Sequence, residues 1–176
     1  MKRLLIAFVL ISHIGYTQVL VDKCNSFHED KQLAKQLFDC VNLYRNSLGE
    51  ASFIWNESCY ESAKQHNDYL ATNGLWGHTN QPVQTELIVA VNNIRQSITP
   101  DVQKMIVDSC IQQWIHSEWH HKTMIAPLAT KTKTTHSISI TGINLDIMLS
   151  RSGAISVNVL RYANYVHVTC IMHLTQ

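Results

Sequence analysis

The 176-residue sequence has little of what marks the extreme classes of protein. Three prolines and six glycines are too few for a collagen-like chain or for a Gly/Pro-rich disordered one. Charges nearly cancel, with a formal net charge of +1, and basic residues form no cluster beyond Lys131 to Lys133. The chain therefore has no electrostatic footprint for nucleic acid, and we expect no nucleic-acid partner.

A long apolar segment is also missing. Lys2 and Arg3 are basic and lead into the apolar run of residues 4–10, after which small and polar side chains follow. This order predicts a signal peptide over residues 1–17, too short for the ~20 apolar residues of a spanning helix. We expect a secreted or periplasmic protein without membrane insertion, made of an N-terminal extension (18–32) and one domain (33–176).

Five cysteines, an odd number, occur in a chain that we expect in an oxidising compartment. One or two disulfides are plausible there, and at least one thiol is left over. Cys40, Cys59 and Cys110 fall at apolar positions of helical patterns, which favours burial, whereas Cys24 lies in a predicted loop. The spacing leaves the pairing open among these cysteines and Cys170.

Periodicity and capping residues predict the helices of the first two-thirds of the chain. These cover residues 31–47, 56–74, 99–114 and 117–125. Thr99-Pro100 provides an N-cap followed by proline at the first helical position, and Pro127 ends the last helix. Residues 86–91 are predicted to form a turn or two of helix.

After Pro127 the apolar period changes from helical to two, which indicates strands. Alternation predicts strands over residues 138–147, with a bulge at Gly142, then a turn over 150–153. Returning strands follow over residues 155–159 and 166–174. Helices followed by an antiparallel sheet predict an α+β fold.

Histidine is abundant, with ten in the chain, and a few of these lie where chemistry is possible. The informative set is His66, His78, Glu86 and the segment from Trp114 to His120. His116 and His120 are four residues apart, which is a metal-ligand spacing on a helix. The remaining histidines, including His28, His121, His136, His167 and His173, are predicted to be surface or sheet-face residues. No His-Glu-x-x-His, Gly-x-Ser-x-Gly or P-loop motif is present.

The chain from about residue 35 to residue 165 resembles the CAP superfamily, which includes cysteine-rich secretory proteins, antigen 5 and plant pathogenesis-related proteins. The motifs that carry the resemblance are Asn42-x-x-Arg45, Gly49, Phe53-x-Trp55, Ala63-x-x-His66, Leu70, Gly74, His78, Glu86 and Trp114-x-x-Ser117-x-x-His120. The last motif is similar to that of bacterial secreted members.

This resemblance implies a three-layer α-β-α sandwich with a central antiparallel sheet. It further implies a cavity in which His78, Glu86 and His120 would hold zinc or another divalent metal. The sequence departs from the family where Thr85 and Leu87 replace a glycine and an asparagine beside Glu86. Ser117 also stands where eukaryotic members carry a second glutamate, so their full tetrad of two histidines and two glutamates is not reproduced.

Three functions follow from these residues. The first is a binding module whose cleft takes a divalent metal, a small apolar ligand or an extracellular protein, with His66, Trp76, His78, Glu86 and His120 as binding residues. The second is a hydrolase, for which His78, Glu86, Ser117 and His120 are the catalytic candidates, with Ser117 or a metal-bound water as nucleophile. The third is a structural polar network around the same carboxylate.

Overall fold

Helices fill the middle of the chain and strands its end in the computed structural model, which describes residues 18–78, 85–95, 97–126 and 152–175. The elements of these residues are β1 (Val19–Leu20), β2 (Ser26–Glu29), α1 (Lys31–Ser47), β3 (Ile54–Trp55), α2 (Glu57–Asn73), β4 (Leu75–Trp76), β5 (Thr85–Ile94), α3 (Pro100–His116), α4 (Glu118–Met124), β6 (Ser152–Arg161) and β7 (Val166–Leu174).

The main sheet has the strand order β2-β6-β7-β5, in which every neighbouring pair is antiparallel. Short β3 pairs with β6 in parallel, and β1 with β4 forms a separate two-stranded ribbon. In the register of β5 and β7, Glu86 lies opposite His173. This pairing places two polar side chains next to each other on one face of the sheet.

Alternating residues of β5, β6 and β7 face two different helical layers. One set, which includes Leu87, Ile155 and Cys170, packs in the main core with α1, α3 and α4. The opposite set, which includes Ile88 and Ile171, packs against α2. The predicted α+β fold and its three-layer α-β-α arrangement are therefore confirmed.

The helix ends agree with the predicted capping signals. Asn56 accepts a hydrogen bond from the Cys59 backbone N–H at 3.0 Å, and so caps α2. The same helix stops at Gly74, whose φ of 61° lies in the left-handed region that favours glycine. Pro100 is the first residue of α3, as predicted, although Thr99 at the N-cap position makes no side-chain capping bond. No helix in the described part of the chain is long and apolar enough to cross a bilayer.

Two expectations about local structure are wrong. Residues 86–91, predicted as a turn or two of helix, belong to the ten-residue strand β5, because their β-branched side chains are covered on both faces of the sheet. Ser152 and Gly153, predicted within a turn, already lie in β6. The predicted signal peptide and the predicted strand over residues 138–147 lie outside the described residues.

Candidate functional site

Glu86 is the centre of a buried group of histidines. Its Oε2 atom lies 2.7 Å from His66 Nδ1 and 2.8 Å from His173 Nε2. Its other oxygen, Oε1, lies 2.9 Å from His78 Nδ1. Glu86, His66 and His173 are buried, whereas His78 is half-buried. We call these four residues the Glu86 cluster.

Each member of the Glu86 cluster comes from a different segment of the chain. His66 belongs to the buried stripe of α2, in phase with Ala63 and Leu70. His173 stands on the α2-facing side of β7, directly across from Glu86 on β5. His78 follows Gly77, whose φ of 147° is a conformation that side chains with a Cβ rarely adopt. The cluster thus depends on tertiary packing, since its members come from two strands, a helix and a loop.

The outer nitrogens of the two buried histidines also have partners. Gln18 Nε2 lies 3.4 Å from His66 Nε2, and Ser62 Oγ lies 3.1 Å from His173 Nδ1. If the Gln18 amide and the Ser62 hydroxyl donate, each imidazole keeps its remaining N–H for Glu86. The tautomers of both histidines are then set by the residues on their far side.

Hydrogen bonding governs the charge of Glu86. Burial by itself would raise the pKa of this carboxyl, but the hydrogen bonds from His173, His66 and His78 outweigh burial. Together they hold the pKa of Glu86 well below its usual range. The carboxylate is therefore ionised at neutral pH inside a mostly buried site.

His120, the third member of the predicted metal set, reaches this site through His78. The ring centroids of His78 and His120 are 6.1 Å apart, while His66, His78 and His173 are hydrogen-bonded to Glu86. Burial and then the charge of His78 lower the pKa of His120. The structure thus brings His66, His78 and Glu86 into direct contact and leaves His120 one residue further out.

The spacing of His116 and His120 is that of two ligands on one helix, but the structure places them on two different helices. The first ends α3 and the second lies in α4, with Ser117 at the break between them. Ser117 occupies the N-cap position of α4 but makes no side-chain capping bond. In the described residues its hydroxyl also has no hydrogen-bonded base. The arrangement needed for a serine nucleophile is therefore incomplete.

A cavity of about 770 Å³ is connected to the Glu86 cluster by His120, which lines the cavity and whose ring lies next to that of His78. Its floor includes Ile88 and Thr169, which stand on the same sheet face as Glu86 and His173. Its walls come from the break between α3 and α4, from the β1–β4 ribbon, and from the end of the β6–β7 hairpin. Lining residues from these walls are Val21, Asp22, Leu75, Trp76, His116, Ser117, His120, Tyr162, Tyr165 and His167.

Aromatic rings dominate one end of this cavity. Tyr162, Tyr165 and His167 contact one another with ring centroids 4.8 to 4.9 Å apart. Trp76, predicted to line a cleft, is half-buried and belongs to the same cavity wall. Trp114 is fully buried. The cavity combines apolar and aromatic surface with a few polar groups, a composition typical of small-molecule sites.

The donor atoms of the Glu86 cluster suit a metal ion. One ligand atom each from His66, Glu86 and His173 lie within 4.8 Å of one another. Imidazole nitrogen and carboxylate oxygen are ordinary zinc ligands, and zinc is usually four-coordinate. The residues present therefore fit a divalent metal, through a set that shares only Glu86 with the predicted His78, Glu86 and His120.

His173 is the site residue that sequence reasoning missed. Alternation along β7 places His173 on the sheet face opposite Val168 and Cys170. A histidine on the inner face of a strand is a signal for a polar partner. That partner is Glu86, and the sequence hides it because residues 86–91 are predicted to form a turn or two of helix.

A family comparison places these residues in a known context. The model of the cysteine-rich secretory protein family, CAP, matches residues 38–132, which is more than half of the chain. The chain belongs to the CAP family. The matched CAP segment contains His66, His78, Glu86 and His120, whereas His173 lies beyond it.

Other comparisons add little to the CAP assignment. An outer surface protein from Borrelia burgdorferi is a solved structure with 14% identity and a TM-score of 0.45; the alignment covers 86% of this chain and 100% of that chain. A search of curated proteins finds no match.

Proposed function

We propose that this CAP domain is an extracellular binding module that holds a divalent metal ion, zinc by its donor chemistry, at the Glu86 cluster beside a ligand cavity. The observation that carries the proposal is the convergence of three imidazoles on the two oxygens of one buried carboxylate. A negative charge with adjacent imidazole nitrogens is the combination that attracts Zn²⁺.

The inner set of His66, Glu86 and His173 is the stronger candidate for the metal ligands. Their donor atoms already lie within 4.8 Å of one another, and three protein ligands leave a fourth position for a small molecule. The outer set of His78, Glu86 and His120 is the alternative implied by the family resemblance. The two sets share Glu86, so they are distinguished by which histidines are required for zinc binding.

Metal binding at the inner set requires proton movement that the surroundings permit. The nitrogens of His66 and His173 that now face Glu86 must lose their protons to become ligands. The outer nitrogen of His173 can then be protonated, since the Ser62 hydroxyl oxygen next to it can accept a hydrogen bond. The amide nitrogen of Gln18 faces His66 Nε2, so the Gln18 amide must turn over to present its oxygen before His66 can donate to it. These two residues would hold the ligand rings in place, as residues behind metal ligands do.

The cavity supports the proposed ligand-binding role. About 770 Å³ is within the range of small-molecule sites, and the aromatic and aliphatic lining favours an apolar ligand. His120 and Ser117 supply polar atoms on the wall nearest His78. An extracellular protein partner is the alternative occupant. Secretion or periplasmic location is itself proposed, on the basic and apolar N-terminal sequence and on membership of the CAP family.

Two other functions compete with metal binding. A hydrolase is favoured by the hydrogen bond from His78 to Glu86, because a carboxylate that orients a histidine is a feature of general bases. A purely structural network is favoured by the fact that the outer nitrogens of His66 and His173 already have partners. Among the described residues, Ser117 has no hydrogen-bonded base, so the hydrolase has less support than the metal site. The structural network predicts no metal affinity.

Zinc titration by calorimetry at neutral pH tests the proposal. We expect about one zinc per chain, with binding lost in His66→Gln and His173→Gln and retained in the matched control His116→Gln. Loss in His120→Gln, with binding retained in His173→Gln, would move the site to the outer set. Absence of binding, or equal binding by all variants, would contradict a metal site and leave the structural network.

A further inference from the structure

Two cysteine sulfurs meet in the main core, on the sheet face opposite the Glu86 cluster. Cys110 on α3 and Cys170 on β7 have Sγ atoms 3.5 Å apart. Both side chains are 0% exposed and belong to the main apolar core. Neither residue takes part in the proposed metal site, since Cys170 and His173 point to opposite faces of β7.

The other three cysteines are placed differently. Cys24 lies in the segment before β2 and contacts the carbonyl oxygen of Ala71 at 3.8 Å. Cys40 is half-buried on α1, and Cys59 is buried at the start of α2, on the other side of the sheet. Of the five cysteines, all of which the structure describes, Cys110 and Cys170 are the pair whose sulfurs are in contact.

We propose that Cys110 and Cys170 form a disulfide that joins α3 to the central strand β7. A disulfide bond is about 2.05 Å long, so the two sulfurs must approach by roughly 1.5 Å from their 3.5 Å separation for the bond to form. In the exchange, both thiols pass their hydrogens to a disulfide reagent, such as glutathione disulfide or a protein disulfide oxidase. The reagent is released as two thiols, and the Sγ–Sγ bond forms.

Burial determines when this bond forms. A disulfide reagent must reach a thiolate, and neither sulfur is accessible once α3 packs on the sheet. The hydrogen bond from Cys110, followed by burial, also raises the pKa of Cys170 well above its ordinary value, which disfavours the thiolate in the folded protein. The bond therefore forms during folding, before the core closes, and is then protected from reduction.

The cross-link has a clear effect on stability. It closes a loop between two residues that are 60 positions apart, and a closed loop reduces the entropy of the unfolded chain. We expect the thermal midpoint of the oxidised protein to exceed that of the reduced protein by roughly 5 to 15 °C. Zinc affinity should be the same in both forms, because the pair lies across the sheet from Glu86.

Oxidative refolding followed by alkylation and mass spectrometry tests the disulfide. We expect protein refolded with a mixture of reduced and oxidised glutathione to lose two of its five alkylation sites, with Cys110 and Cys170 in one linked peptide. Reduced, folded protein given the same reagent should remain largely unlinked over the same time. Five alkylated thiols after oxidative refolding, or a linkage through another cysteine, would overturn the proposal.

Matched variants sharpen this test. Cys59→Ala should keep the linked peptide, and Cys170→Ala should lose it together with the difference in thermal midpoint between oxidising and reducing conditions. Because Cys170 is in the core, Cys170→Ala can fail to fold. The peptide map of the unmodified sequence still decides the outcome in that case, and it does so independently of zinc binding.

Discussion

The two faces of the central sheet differ in chemistry although the same three strands build both. Toward α1, α3 and α4 the inward side chains are apolar, among them Leu87, Ile155, Val157, Val168 and Met172. Toward α2 the buried side chains include Glu86, Ser156, Asn158, Thr169 and His173. Alternation along a strand thus separates the residues that stabilise the fold from those that carry its chemistry.

Most polar groups on the α2-facing side of the sheet are paired, although the buried Asn158 Oδ1 has no hydrogen-bond partner among the described residues. Asn67 of α2 accepts from Thr169 Oγ1 at 2.7 Å and donates to the Thr169 carbonyl oxygen at 3.2 Å. Asn158 Nδ2 donates to Asp68 at 2.9 Å. Buried polar groups with partners fix a unique packing, whereas the same groups without partners are costly. Hydrogen bonds as well as apolar contacts therefore position α2 over the Glu86 cluster.

The largest expected loss of stability follows from a substitution on the apolar face of β6, and its neighbour on the opposite face provides the comparison. Ile155→Ala removes a fully buried side chain from the main core and should cost about 2 to 5 kcal/mol in the free energy of unfolding. Ser156→Ala, one residue along, should cost about 1 kcal/mol or less, because Ser156 Oγ makes a long 3.4 Å contact with Asn67. Urea denaturation measures both, and equal losses would remove the distinction between the faces.

Asn67→Ala should have the next largest effect, about 1 to 3 kcal/mol, since it leaves Thr169 without its buried partner. The double variant Asn67→Ala with Thr169→Val should be less destabilised than the sum of the single changes, because both polar partners are then absent. A double-mutant cycle by urea denaturation checks this. Strict additivity would mean that Asn67 and Thr169 do not form a coupled network.

Glu86→Gln should cost on the order of 2 kcal/mol at pH 7 and progressively less in acid. The pKa of Glu86 is depressed in the folded protein, so its contribution is fully present above the unfolded pKa of about 4.3 and is lost as pH falls toward the folded value. Urea denaturation of both proteins at pH 7, 5 and 3 measures the gap. A gap that stayed constant down to pH 3 would contradict the charged hydrogen-bonded role of Glu86.

The smallest expected effect is that of His120→Gln, within about 0.5 kcal/mol of the unmodified protein. His120 is half-buried, and its ring lies next to that of His78. Thermal unfolding without metal checks this expectation. A loss comparable to that of Glu86→Gln would place His120 inside the network and would favour the outer ligand set.

Most of the fold could be predicted because its signals are local. The caps of α2 at Asn56 and Gly74 and the alternation of β6 and β7 can be recognised within a few residues. Strand β5 could not, since an apolar run such as Leu87 to Val91 is compatible with both helix and strand. Burial on both faces of the sheet determines that this run forms a strand, and such burial is a property of the tertiary structure.

The site could be predicted only in part, because one of its members is contributed by long-range strand pairing. The family resemblance identified His66, His78 and Glu86, which the structure brings together. His173 joins them through strand pairing between residues 87 positions apart, which no motif records. The role of His120 as a metal ligand stays a prediction.

Crystals grown with zinc and measured at the zinc absorption edge test the central claim most directly. We predict an anomalous peak about 2.0 to 2.2 Å from a carboxylate oxygen of Glu86 and from one nitrogen each of His66 and His173. An unchanged hydrogen-bonded cluster with no peak, or a zinc ion bound only at residues other than Glu86, would contradict the proposed metal-binding function.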